Sequence, residues 1–435
     1  MADVVVVGGG FAGISAAVRI AKMRHRVVLL EAGDRLGGQL APYETDGWSF
    51  DHGLSELTLP ATVRDLFKKS GRPLDRVLDL EPLPVARRHV LDRDLVLDLP
   101  AGSRGAQTDA IDAVLGPGKG ERWTRWLDAF DDVWEVLRRV ALGRPLVGRG
   151  DFDREQWRTL RPRLSLDRAA RRGLRDPYLR ALVLDRHRLD GQQPRSMPAF
   201  LGAYDLVERS FGRWRVAGGT TALLAALERR LEERRVDVRL GTRAHDVTGS
   251  DAVDGVVTDD GHLPAEVVVW AAPVGPGGRR ETDALPRVPS SRTYLGLGPY
   301  APRLAQETVV HGTPVRIMPS ATHTGDGQAW TVEHVGAEDP LVTLRRAGID
   351  VGDHVAYRED VSAVDLVRRH GARDGWQWSG WRTAFQVPGV GQARSGYLRV
   401  GVNAHPGAST ELVALGTAAA AETLRPGAST PAGAR

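Results

Sequence analysis

Gly8-Gly9-Gly10-Phe11-Ala12-Gly13 has the residue types and spacing of a loop that lets a phosphate reach the main chain. Gly8 permits a tight turn, Gly10 lets a pyrophosphate approach the backbone, and Gly13 lets the following helix pack closely on a strand. A helix beginning at such a loop offers free N–H groups to the anion. Glu31 lies eighteen residues after Gly13, at the end of the apolar run Val27-Val28-Leu29-Leu30. A carboxylate there can accept hydrogen bonds from a ribose diol and would repel a 2′-phosphate, so the pattern reads as a dinucleotide site and disfavours NADP.

A strand, a helix and a second strand are needed to position these groups. Asp3 to Val7 is a β-branched run that reads as a buried parallel strand, a helix runs from about Ala12 to Met23, and Val27 to Leu30 makes the second strand. A glycine triplet alone is a weak signal. Strand, triplet, helix, strand and acid in that order are specific.

Spacing alone shows only a dinucleotide site, and choosing between flavin and nicotinamide needs further signals. Glu31-Ala32-Gly33-Asp34-Arg35-Leu36-Gly37-Gly38-Gln39 places a double glycine after an Asp-Arg pair, Phe50-Asp51-His52-Gly53 follows, and Ala404-His405-Pro406-Gly407-Ala408-Ser409-Thr410 leads into an apolar helix near the C-terminal end. With these landmarks the chain resembles the FAD-dependent amine oxidase and phytoene desaturase superfamily, and it looks closer to the carotenoid desaturase branch. The resemblance implies an α/β fold: a Rossmann-like FAD-binding domain with a parallel sheet, interleaved with a mixed α+β substrate domain. It implies non-covalent FAD, held at Gly8, Gly10, Phe11, Ala12, Gly13, Glu31, Ala32, Arg35, Gly37, Gly38, Gln39 and Leu40. Ala244, Ala271, Gly401, Ala408, Ser409 and Thr410 complete the implied set. In the resembled enzymes the histidine-proline-glycine stretch lies beside the isoalloxazine, where a helix N-terminus would stabilise the charge of reduced flavin.

The expected reaction is dehydrogenation or desaturation, with hydride passing from an apolar, isoprenoid or polyketide-like substrate to flavin and then to an acceptor such as oxygen or quinone. Two alternatives stay open: an oxidase of amines or other heteroatom substrates, and a redox-inactive module that binds a prenyl chain or a protein. His405 and His52 are the candidates for catalytic proton transfer, because they are the histidines in motifs expected near flavin and imidazole suits base work. The lysines, Lys22, Lys68, Lys69 and Lys119, lie outside any flavin motif, which favours desaturase-like chemistry over amine oxidation. No carboxylate acquires a catalytic role from spacing, and no metal site is read.

The expected organisation assigns 1–82, 212–275 and 386–425 to the FAD-binding domain. A helical part of the substrate domain covers 83–211, a sheet-containing part covers 276–385, and 426–435 is a tail. Trp123, Trp126, Phe130, Val133, Leu137 and Val140 recur at helical spacing and read as one core stripe of a helix beginning near Glu121. A helix starts near Thr220 or Thr221, where the threonines can cap it. Val309 to Met318, Trp330 to Val335 and Asp353 to Tyr357 suggest strands. Trp376, Trp378, Trp381 and Phe385 concentrate aromatic surface that suits a ligand, a partner or the domain's own core.

Composition narrows the class. With 435 residues, 42% apolar and 26% charged, the chain is globular in type. It has no cysteine, which excludes disulfides, thiolate nucleophiles and a flavin tethered through sulfur. The net charge of +4 is too even to indicate nucleic acid. The opening apolar run leads straight into glycines rather than a leader pattern, and no apolar run approaches the ~20 residues of a membrane span. A cytoplasmic location is therefore expected, with peripheral membrane contact and oligomeric state left open.

Overall fold

Six residues, Ala2–Val7, form the first strand, and the rest of one sheet is arranged around it. The computed structural model describes residues 2–52, 56–144, 146–304, 307–323, 325–370, 375–389 and 394–425. Gly53 of the second landmark and the 426–435 tail lie outside the described residues. Asp237–Arg239, Val27–Leu30, Ala2–Val7 and Gly261–Trp270 run side by side in parallel, and Tyr397–Arg399 joins the far edge of Gly261–Trp270. The N-terminal half of Gly261–Trp270 pairs antiparallel with Gly255–Thr258, which pairs in turn with Ala244–Thr248.

The valines of the first strand explain its central place. Val4 and Val6 enter a core shared with the helices Phe11–Lys22, Pro60–Ser70, Gly219–Glu233 and Thr410–Thr423. Val5 and Val7 point the other way, into the core under the antiparallel extension. A strand buried on both faces reads as a continuous apolar run, because neither face meets water. Gly13 is needed where the first helix crosses the turn: a Cβ there would sit 1.8 Å from the Gly8 carbonyl oxygen. This is the α/β architecture the resemblance implies.

A second sheet takes its strands from distant parts of the chain. Its order among the described strands is Val355–Val361, Ser291–Leu297, Gln328–His334, Val315–Pro319, Thr308–Val310, Val85–Asp92 and Leu95–Pro100. The pair Thr308–Val310 and Val85–Asp92 is parallel, and the other neighbours are antiparallel. Residues 85–100, expected to be helical, thus form a hairpin. The signal was a period of two: Leu97 and Leu99 are buried, while Val96 before them is exposed and Asp98 between them is half-buried. The run from Val309 to Met318 is likewise two strands with a turn between them.

Helices from Arg104 to Phe211 pack on this sheet around a separate core. Trp123, Trp126, Phe130, Val133 and Val140 are buried in it. They do not share one helix, however: Lys119–Asp128 stops, Phe130 caps Asp131–Val136, and a wider turn at Leu137–Ala141 follows. The helix near Thr220 also departs from expectation. It begins at Gly219 after a left-handed Gly218, without a side-chain cap, because the Thr220 hydroxyl donates to Asp51 instead.

Asp51 is the staple between the two layers. Its Oδ1 accepts from Thr220 Oγ1 at 3.1 Å and Thr322 Oγ1 at 3.0 Å, and Oδ2 accepts from the Ala321 amide at 2.8 Å. The Thr331 hydroxyl donates to its carbonyl at 2.8 Å. The carboxylate is 3% exposed, so removing it strands buried donors from both domains. Asp51→Ala is expected to cost about 3 kcal/mol of stability, and Thr220→Val about 1 kcal/mol, read from urea unfolding. An unchanged midpoint in Asp51→Ala would remove the staple.

Candidate active site

A cleft of about 750 Å³ opens where the C-terminal ends of the parallel strands meet the N-termini of two helices. In an open α/β sheet this crevice is where ligands bind. Glu31 is set at its edge by main-chain bonds, its N–H donating to Arg239 at 2.9 Å and its carbonyl accepting from Thr242 at 2.9 Å. The carboxylate is oriented as well: Oε2 accepts from the Gly9 amide at 2.6 Å and Oε1 from the Gly33 amide at 2.8 Å. Each oxygen keeps a lone pair for a diol. The two glycine turns abut, with the Gly37 amide donating to the Gly9 carbonyl at 2.9 Å, and a Cβ at Gly38 would come within 3.2 Å of the Gly10 Cα. Gly38 also has φ of +52°. The floor of the cleft is therefore bare backbone, which is what close approach of a pyrophosphate requires.

The expected contact residues fall into two groups. Gly8, Gly10, Phe11, Ala12, Glu31, Ala32, Gly38, Gln39 and Leu40 line the cleft from the first turn and its neighbour. Ala244, Ala271, Gly401, Ala408 and Thr410 line it from the later strands and the C-terminal helix. Gly13, Arg35, Gly37 and Ser409 are not part of its lining. Gly13 and Gly37 serve packing, and Arg35 is exposed beside Glu44 at 3.8 Å. Ser409 caps the helix Thr410–Thr423, its hydroxyl accepting from the Leu412 amide at 3.3 Å, and faces a neighbouring chamber.

Sequence reasoning missed Ala272, Pro273, Val402 and Arg292, which also line the cleft. The first three follow strands that run parallel to Ala2–Val7, so their strand ends had to reach the same crevice. Buried Arg399 shapes that wall: its guanidinium donates to the carbonyls of Trp270, Ala272 and Pro273 at 2.9, 2.7 and 3.2 Å. Arg292 arrives from the second sheet, and no local pattern marks it.

Beside the cleft, and sharing Gln39, His52, Val402 and Ala408 with it, is a charged chamber of about 200 Å³. A chain of buried ion pairs walls it. Arg87 meets Glu307 at 3.0 Å and Glu208 at 3.1 Å, Arg213 bridges Glu307 and Glu56, and Arg316 meets Asp190 at 3.0 Å and also Glu333. Arg292 continues from Glu333 at 3.1 Å to His52 Nδ1 at 3.3 Å. Burial works to raise the Glu307 carboxyl, but the Arg213 and Arg87 charges dominate and hold it well below its ordinary value. Because a guanidinium only donates, His52 Nδ1 accepts and the ring proton sits on Nε2. His52 lines both the cleft and the charged chamber.

A further chamber of about 250 Å³ touches the cleft at Ala408 and runs into an aromatic cavity of about 70 Å³ through Leu201, Tyr204, Trp376, Trp378 and Pro406. Trp376, Trp378, Trp381 and Phe385 line the aromatic cavity. His405 lies there too and is not among the lining of the cofactor cleft. Burial pushes its imidazole down to about 4, against a hydrogen bond to the Ala141 backbone. His187, in the chamber, is pushed down by burial to about 3. No lysine lines any of these spaces among the described residues, and Lys119 pairs with Asp176 elsewhere.

The comparisons agree with this geometry. The family described as flavin containing amine oxidoreductase matches residues 11–293, well over half of the chain. A 4,4'-diapolycopene oxygenase from Methylomonas sp is 23% identical, over 95% of this chain and 96% of its own. A hydroxyneurosporene desaturase from Cereibacter sphaeroides is 29% identical over 71% of this chain, which spans 65% of that relative. The solved structure of wild-type putrescine oxidase bound to putrescine shares the fold, with a TM-score of 0.62, 16% identity and 97% coverage of both chains.

Two outcomes follow for measurement. Glu31→Ala removes the diol acceptor and frees the Gly9 and Gly33 amides, so affinity for added FAD is expected to fall at least about tenfold in a fluorescence titration; unchanged affinity rejects the assignment. His405 stays neutral in the folded protein until pH falls to about 4, whereas the unfolded chain takes up that proton near 6.5. Its contribution to stability is whole above pH 6.5 and lost as pH falls toward 4. His405→Phe should flatten that part of the melting-temperature profile, and an unaltered acid limb would contradict the burial argument.

Proposed function

The chain belongs to the flavin containing amine oxidoreductase family, a family of oxidoreductases, and on that basis we propose that it is an FAD-dependent dehydrogenase or desaturase acting on an apolar-bodied, isoprenoid-like substrate. The observation that carries the reading is the meeting, at Ala408, of the glycine-floored cleft with a chamber that leads into the aromatic cavity. The two carotenoid-pathway relatives support the substrate class, and the lack of lysine in the lining supports carbon desaturation over amine oxidation.

The cleft residues fit the cofactor. Glu31 would take the ribose diol, the amides around Gly8 to Ala12 the pyrophosphate, and the N-terminal turn at Thr410 the flavin end. Bound flavin would supply a two-electron acceptor for hydride. Ser409 satisfies the Leu412 amide and leaves the first helical N–H groups to stabilise negative charge beside Ala408. A partly buried helix end contributes up to ~2 kcal/mol, tilting a redox equilibrium by several tens-fold. The aromatic lining excludes water and orients the apolar body against the cleft, and orientation of this kind can carry a reaction without a conspicuous acid-base pair.

The test begins with the cofactor. The purified protein should show a flavin absorption spectrum and release intact FAD on denaturation; failure to hold or take up FAD would reject the proposal. Anaerobic mixing with acyclic isoprenoids should then bleach the flavin while simple amines do not. Bleaching by amines alone would assign amine oxidation instead.

A further inference from the structure

One wall of the aromatic cavity is also a surface of the protein, and that surface is rich in arginine. Phe152, Trp157, Leu160 and Pro162 line the cavity from a single stretch of chain. Arg149, Arg154, Arg158, Arg161 and Arg163 alternate with them, and all five are exposed. The helix Arg154–Leu160 explains part of the alternation: Trp157 and Leu160 fall on its cavity side, which turns Arg154 and Arg158, one turn apart, to solvent. Two half-buried tryptophans mark where the wall reaches water. Trp157 and Trp381 both line the cavity and meet edge to face, with ring centres 4.9 Å apart. The guanidiniums of exposed Arg149 and Arg382 lie over these two rings, at 4.6 and 4.9 Å from their centres. Val147, next to the cavity residue Leu146, is 62% exposed.

The charges on this face are unbalanced. Residues 131–180 hold thirteen arginines and eight acids, an excess of five in a chain whose whole net charge is +4. The acids nearest the cavity wall are mostly engaged. Asp151 accepts from the Val147 and Gly148 amides at 2.7 and 2.9 Å and meets Arg144 at 3.4 Å, and Asp153 caps the helix Arg154–Leu160 through the Gln156 amide at 2.8 Å. Glu155 is exposed beside Arg154. Arg154, Arg158, Arg161 and Arg163 have no carboxylate within ion-pair distance among the described residues. Exposed cations without partners leave their field to a ligand.

We propose that the face bearing Arg149, Arg154, Arg158, Arg161, Arg163 and Arg382 docks on an anionic phospholipid bilayer, so that an apolar substrate passes from the lipid into the aromatic cavity without crossing water. Tryptophan rings favour the boundary between headgroups and acyl chains, and arginine stems lie along apolar surface while their heads stay with phosphates. No helix of the described residues is long and apolar enough to cross a membrane, so the contact is with the bilayer surface. The passage of substrate rests on the isoprenoid reading above. The docking itself rests on the charge excess and the half-buried rings, and needs no flavin.

The test floats protein mixed with excess FAD on two kinds of vesicle, phosphatidylcholine alone and phosphatidylcholine with about one third phosphatidylglycerol. The protein should rise with the anionic vesicles and not with the neutral ones, and less of it should rise as salt is added. Arg154→Gln, Arg158→Gln and Arg163→Gln combined should weaken partitioning at least about tenfold. The same change at Arg76, Arg93 and Arg303, exposed arginines elsewhere in the chain, should leave it as it was. Because the chain has no cysteine, Val147→Cys can carry a single environment-sensitive fluorophore. Its emission should move to the blue on anionic vesicles, while a label at Tyr300→Cys, a position 89% exposed, should not respond. No flotation, equal binding to neutral vesicles, full binding by the triple variant, a silent label at 147 or an equal response at 300 would each overturn the proposal. Arginine-dependent binding of polyglutamate or RNA without vesicle binding would overturn it too, and assign the face to a protein or a nucleic acid. FAD-replete protein that ignores anionic vesicles defeats this inference alone. Protein that floats yet never takes up FAD defeats the flavin reading alone.

Discussion

The site depends on backbone meeting backbone where a side chain would intrude. The first helix can cross the Gly8 turn only because position 13 has no Cβ, and the Gly37-Gly38 turn lies so close to Gly10 that a Cβ at Gly38 would come within 3.2 Å of the Gly10 Cα. That contact closes the floor of the cleft and brings the Glu31 carboxylate under the Gly9 and Gly33 amides. Any larger residue there would separate strand, helix and acid together. The remaining strands complete the walls because parallel neighbours of Ala2–Val7 must end at the same edge of the sheet.

A second constraint is electrostatic. Carrying Arg87, Arg213, Arg292 and Arg316 into the interior beside Glu208, Glu307 and Glu333 costs desolvation that only close pairing offsets. This wall of ion pairs joins the second sheet to the helical layer and ends on His52 at the cleft. The apolar and aromatic surfaces lie on the other side of Ala408, so the space beside the cleft is divided between a polar wall and an apolar channel.

Much of the cofactor half was legible because its signals are local. The valine run, the glycine spacing, the place of Glu31 at a strand end and the Ser409 cap are each marked by short stretches of sequence, and the observed elements follow them closely. The substrate half was less legible for the same reason. The hairpin at 85–100 carries an alternating pattern that the surrounding helical segments masked, and the tryptophan stripe crosses a helix break that its spacing does not reveal. Thr220 has the chemistry of a cap, but Asp51 from a distant segment offers a stronger, charged acceptor.

The amino-acid order by itself determined the turn that admits a pyrophosphate, the acid that awaits a ribose and the helix cap near the C-terminal end, since each is marked by residue type and spacing along the chain. Only the tertiary structure decided that His405 looks into the aromatic cavity and that Arg292 reaches His52. Those juxtapositions come from packing between segments far apart in the chain, 240 residues for Arg292 and His52, and no local period or propensity records which distant surfaces will meet.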